Sequence, residues 1–138
     1  MMSRAPARFR VLAALLALAL SALFLFGCWF IPLSIDESAD GSIQTIRIGD
    51  TIRIVLAGNA STGYQWIRVE PDSLVGTVLE SIEEGTYEQD DAHVCGGPGT
   101  FTFRYEAVAS GTIELVYAYA KPWEGDPVDT VSVIVWVE

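Results

Sequence analysis

Few side chains in this sequence are able to make or break a bond. There is one histidine, His93, and there are two cysteines, Cys28 and Cys95. His93 and Cys95 lie two residues apart, and a thiol beside an imidazole is the raw material of an activated nucleophile. Such a pair also needs a third group to orient the base, and no candidate for it stands out. One histidine and one free thiol fall short of the four ligands of a Cys/His zinc site. No acid/base constellation of carboxylates stands out either. The chain reads as a binding protein rather than an enzyme, with no metal and no cofactor.

The residues suited to binding fall in three loop-like segments. The first is Asn59-Ala60-Ser61-Thr62-Gly63-Tyr64-Gln65-Trp66. Asn, Ser and Thr side chains bond their own backbone, and Gly63 admits positive φ, so this is a turn. It runs directly into two large aromatics. The second segment is Val94-Cys95-Gly96-Gly97, followed by Pro98, and the third is Lys121-Pro122-Trp123-Glu124. Three such loops at one end of a rigid scaffold make a binding surface. Plainer roles fit some members. Trp66, Phe101 and Phe103 are expected in the core, and Cys95 as a small buried hydrophobe. Tyr64 falls between core and loop, while Trp123 is expected to be exposed. Asn59-Ala60-Ser61 also meets the glycosylation pattern, which is short and common by chance.

Strands must position these loops. From residue 42 onward the apolar period is two rather than 3.6. Phe101, Phe103 and Tyr105 alternate with Thr102, Arg104 and Glu106, putting aromatics on one face. Ile52, Ile54 and Leu56 alternate before the first loop. Ile113, Leu115, Tyr117 and Tyr119 do so before the third, and valines alternate from 131 to 137. Residues 74–82 read as a further strand weakened by Gly76, and the acidic stretch 83–91 as irregular and exposed. About seven short strands with turns every ~8–12 residues predict an all-β, immunoglobulin-like sandwich.

The chain before this domain is of another kind. Arg4, Arg8 and Arg10 precede an uncharged Leu/Ala/Phe run from Val11 to Phe26. That is a targeting segment, residues 1–27. Its end, Leu25-Phe26-Gly27-Cys28, resembles a bacterial lipobox, which would make Cys28 the lipidated residue. An uncleaved signal anchor is the alternative, because no charge appears between Val11 and Ile35. Both readings place the domain outside the cytoplasm, in the cell envelope, held to a membrane. Residues 28–41 read as a tether and 42–138 as the domain. The formal charge is −10. Without the leader, five basic side chains face eighteen acidic ones, a charge of −13. A body this acidic excludes a phosphate-binding surface and hence nucleic acid.

Taken in order, the three segments resemble the chagasin-like family of cysteine peptidase inhibitors. That family carries an Asn-Pro-Thr-Thr-Gly loop followed by an aromatic and a Trp. A Gly-x-Gly-Gly loop then precedes a Phe-rich strand, and an Arg-Pro-Trp loop comes last. The similarity runs from about Ile43 to Glu138. It implies the sandwich fold and reversible, non-covalent inhibition of papain-like cysteine peptidases. The chain is expected to act as a monomer. By position, the resemblance implies that Asn59, Ala60, Ser61, Thr62 and Gly63 enter the peptidase cleft, with Tyr64 beside them among the peptidase-binding residues. Cys95, Gly96 and Gly97 would flank it on one side, with Lys121, Pro122 and Trp123 on the other. Ala60 stands for the family's Pro, Lys121 for its Arg, and Val94 for the first Gly. An envelope adhesion or assembly module using the same loops, with no peptidase target, is the reading from another class.

Overall fold

In an extended chain successive side chains point to opposite faces, so each alternating run above must lay one face on another layer. The computed structural model describes residues 32–138 and shows that arrangement. The strands are β1 (Leu33–Ile35), β2 (Ser42–Ile46), β3 (Thr51–Gly58), β4 (Gln65–Glu70), β5 (Leu79–Gln89), β6 (Gly99–Ala107), β7 (Gly111–Ala120) and β8 (Asp129–Val137). They form two four-stranded sheets, ordered β1-β3-β6-β5 and β2-β8-β7-β4. The fold is the expected all-β, immunoglobulin-like sandwich, with eight strands rather than about seven. The leader, residues 1–27, and Cys28 lie outside the described residues.

The core is built from the predicted alternation. Ile52, Ile54, Leu56, Phe103 and Tyr105 of one sheet meet Leu115, Tyr117, Val133 and Val135 of the other, all buried. Each fully buried aliphatic or Phe side chain of this kind contributes about 1.5–3 kcal/mol. Phe103 and Tyr117 touch across the layers, with ring centres 4.6 Å apart.

Three segments differ from the sequence reading. Residues 33–39, read as tether, belong to the sandwich: β1 pairs in parallel with β3, Leu33 beside Ile52. A 3-10 turn, Glu37–Ala39, follows, and the Glu37 carboxylate accepts from the Ala57 N–H. The polar run thus caps an edge instead of floating as a linker, and the compact unit starts at Pro32. Residues 74–78 form a loop, and strand begins only at Leu79. Residues 83–89, expected to be irregular, continue that strand. They hide in the sequence because β5 is a sheet edge with shifts in pairing between Ser81 and Glu83 and between Glu83 and Thr86, which break the period. Gly85 serves the second shift. Its φ is +68, and a Cβ there would lie 3.3 Å from the Phe103 ring.

One polar chain crosses the core. The Tyr117 hydroxyl donates to the Tyr105 hydroxyl (3.0 Å), which donates to Glu84 Oε2 (3.1 Å). Glu84 Oε1 pairs with Arg68 Nη2 at 3.0 Å, joining the edge strands β4 and β5 of the two sheets. Burial pushes the hydroxyls of Tyr105 and Tyr117 above the ordinary tyrosine value. In the unfolded chain both would ionise near pH 10, so above that pH only the unfolded state loses these protons. Their stabilisation is complete below about pH 10 and falls above it by ~1.4 kcal/mol per pH unit for each tyrosine. Urea unfolding measured from pH 9 upward should show this decline, and Tyr117→Phe should make it shallower. An unaltered slope in that variant would refute the assignment.

Candidate functional site

β3 ends at the pole where β4 begins, where β5 passes to β6 and where β7 passes to β8. All three candidate loops therefore come from one end of the sandwich.

The first loop is a 3-10 turn, Ala60–Thr62, capped at both ends. Asn59 Oδ1 accepts from the Ser61 N–H (3.0 Å) and the Ser61 hydroxyl (2.6 Å). Thr62 Oγ1 donates to the Asn59 carbonyl at 2.6 Å. Gly63 closes the turn with φ +85, a value that β-carbon-bearing residues rarely hold. These bonds keep the tip curled, so it offers no extended backbone to a nucleophile.

The other half of the Asn59 amide reaches the second loop. Its Nδ2 donates to the Gly96 carbonyl at 2.9 Å, and the single Ser61 hydroxyl proton is shared between Asn59 Oδ1 and this same oxygen, 3.2 Å from Oγ. The second loop is itself braced. The Asp90 N–H donates to the Pro98 carbonyl (3.0 Å), and the Tyr87 hydroxyl donates to the Gly97 carbonyl (3.2 Å). Of its two glycines, Gly96 is exposed and Gly97 is buried. A Cβ on Gly97 would lie 3.1 Å from Gln89 Nε2. Gly97 therefore packs on its own domain. Cys95 is a free thiol and exposed, not the buried hydrophobe expected of it. Its loop joins β5 to β6, and residues 91–96 of it are all exposed.

The third loop closes over the first. Trp123 is 70% exposed, yet its ring edge lies so near Gly63 that a Cβ there would be 2.9 Å from Trp123 Cη2. Lys121 Nζ pairs with Glu124 (3.2 Å) and sits 5.1 Å from the centre of the Tyr64 ring. Half-buried Tyr64 rests on Tyr119, and Tyr119 stacks on buried Trp66 at 5.1 Å between ring centres. The Tyr119 hydroxyl accepts from the Asn59 N–H at 3.0 Å. Trp66 Nε1 in turn donates to the Ala57 carbonyl (2.8 Å). Core aromatics thus run as a column to the base of the tip. Sequence reasoning missed Tyr119 in that role. Alternation marks it as facing inward, and only the fold places it under Asn59.

The pole is a preformed wedge, built of backbone, amide and aromatic groups. Among the described residues no three His, Cys, Asp or Glu side chains gather into a metal site. Residues 45–135 match the Chagasin family peptidase inhibitor I42. The chain belongs to this family. Family members are inhibitors of proteases, not enzymes. Amoebiasin-1 of Entamoeba histolytica is 29% identical over 91 residues, 66% of this chain and 84% of that protein. Chagasin of Trypanosoma cruzi is 26% identical over 109 residues, 75% of this chain and 94% of that protein. The crystal structure of the cysteine protease inhibitor EhICP2 from Entamoeba histolytica superposes with a TM-score of 0.64 at 23% identity. That match covers 77% of this chain and 95% of the other.

Membership in the chagasin family gives Ala60 a specific meaning. It holds the first position of the 3-10 turn, where the family has Pro and where a helical N–H lacks an internal partner. Asn59 before it is extended, with φ −138 and ψ 99, the conformation that a following proline favours. Ala60→Pro should therefore stabilise the domain by about 0.4–1 kcal/mol through the unfolded chain. A urea midpoint that falls instead would show that the turn here differs from the family's.

Proposed function

We propose that the three-loop pole reversibly inhibits papain-like cysteine peptidases by occupying the active-site cleft without covalent chemistry. The observation that carries this reading is the joining of the tips: Asn59 and Ser61 bonded to Gly96, and Trp123 laid over Gly63. A wedge already assembled loses little freedom on binding, and that low ordering cost favours affinity. Thr62 and its neighbours meet the catalytic thiolate and exclude substrate. Trp123 anchors one side on the enzyme surface, with φ fixed by Pro122 behind it. Gly96 and Cys95 border the other side, while Lys121 holds Tyr64 and Glu124 in place. The domain acts as a monomer.

The same proposal places the inhibitor in the cell envelope, outside the cytoplasm and held to a membrane. It is supported by Arg4, Arg8 and Arg10 ahead of an apolar run that ends in Leu-Phe-Gly-Cys. The anchor is either lipid on Cys28 or the uncleaved segment, and the mass of the membrane-extracted protein separates the two.

The test is inhibition of papain by a form beginning at Pro32. Inhibition at micromolar concentration or below is expected, reversed by dilution and retained by Cys95→Ser. No inhibition in that range overturns the proposal. Inhibition that resists dilution and needs Cys95 overturns its non-covalent part.

A further inference from the structure

The pole opposite the three loops has its own pattern. It comprises the β2–β3 turn, the β4–β5 loop and the β6–β7 turn. Each of these connections exposes an aliphatic side chain: Ile48, Val75 (93% exposed) and Val108. The connections are tied into one surface. The Gly49 N–H donates to the Ala107 carbonyl (2.7 Å) and the Val108 N–H to the Val78 carbonyl (2.9 Å). Nothing in the described residues covers Ile48, Val75 or Val108, and inhibition at the far pole gives them no role.

The chain enters the domain at this same pole. β1 runs parallel to β3, and Leu33 pairs with Ile52, the second residue of a strand that ends at the wedge. Only Trp29, Phe30 and Ile31 separate Cys28 from Pro32, so a lipid on Cys28 leaves at most ~14 Å of chain. If the segment stays as an anchor, its uncharged run continues to Ile35, inside β1, and leaves no spacer. On either account the membrane attachment joins the domain at the pole that carries Ile48, Val75 and Val108.

We propose that this pole is a docking surface for the lipid bilayer, which aims the inhibitory loops away from the membrane. The proposal rests on the membrane-held reading above. Three aliphatic side chains would bind a free domain to lipid weakly. The short tether makes the contact intramolecular and raises the local concentration, so weak contacts suffice. The eight residues of β3 then hold the wedge about 26 Å from the bilayer face, where a soluble peptidase reaches it. Asp50, Asp72 and Glu138 lie at the same pole, so a neutral lipid surface is favoured over an anionic one.

The test uses the full chain, purified from membranes and reconstituted into phosphatidylcholine vesicles. The fluorescent residue dansylalanine replaces either Val75 or Gly125, the latter lying in open space in the third loop. Flotation comes first. A chain that does not float with vesicles overturns the membrane-held reading and this proposal with it. When it floats, emission from position 75 should shift to the blue relative to the form beginning at Pro32, and position 125 should not shift. Adding phosphatidylglycerol should reduce the shift at 75. A floating chain whose position 75 stays as wet as in the soluble form, or whose position 125 shifts, overturns the docking surface and leaves anchoring intact. Papain inhibition is read separately: its failure in both forms removes the inhibitor reading without altering the fluorescence result.

Discussion

Trp66→Ala is expected to lower folding stability by about 3–5 kcal/mol, the cost of emptying a large aromatic site in a core. A domain of this size holds a total of about 5–15 kcal/mol, so much of the margin would go. Trp66 is 4% exposed, and its indole N–H donates to the Ala57 carbonyl at 2.8 Å. The variant loses packing and also leaves that carbonyl without its partner. The damage extends beyond the core because Trp66 supports Tyr119, whose hydroxyl accepts from the Asn59 N–H. Inhibition should therefore weaken even under conditions where the variant remains folded. Trp66→Phe separates the contributions. It keeps a ring against Tyr119 but loses the indole N–H and part of the ring volume, so its cost should be about 1–3 kcal/mol. Urea unfolding of both variants checks this. A loss under about 1 kcal/mol for Trp66→Ala would contradict the column of aromatics described above.

The parts read correctly from sequence share a physical cause. β3, β6, β7 and β8 are covered on one face, so burial imposes a period of two on them, and Ile52, Phe103, Tyr117 and Val133 report it. The segments misread lack that constraint. β1 is three residues long, and only Ile35 in it is buried. β5 lies at an edge with two shifts in pairing, and past Leu79 neither of its faces is fully buried, so the apolar signal of a strand is lost. The candidate loops were recognisable because Asn59, Gly63 and Pro122 carry turn chemistry that needs no tertiary context. Their mutual contacts were not. The bonds from Asn59 and Ser61 to Gly96 span more than thirty residues of sequence, and no local preference encodes them. Cys95 shows the opposite error. Residue type favours burial for a free cysteine, and a loop that projects beyond the sheets overrides the preference.

Trp123→Ala should weaken inhibition of papain by roughly 30-fold, about 2 kcal/mol, the size expected when an aromatic anchor is truncated. The residue is 70% exposed in the free domain, and exposed substitutions of this kind change stability by no more than about 0.5 kcal/mol. A large loss of affinity at unchanged urea midpoint therefore locates the effect in the complex. Most of it should appear as faster dissociation, since the charge that steers encounter is untouched. Trp123 also covers Gly63, so a loosened first loop is a second route to the loss besides contact with the enzyme. Gly63→Ala distinguishes these. Its Cβ would sit 2.9 Å from Trp123 Cη2 and would force the ring outward, besides straining a backbone at φ +85. If the Trp123–Gly63 contact matters to the wedge, the two substitutions act on the same interaction, and their combined cost falls short of the sum. If Trp123 acts only through the peptidase, the costs add. An inhibition constant unchanged by Trp123→Ala would remove the residue from the site and leave the first loop and Gly96 as the whole of the contact.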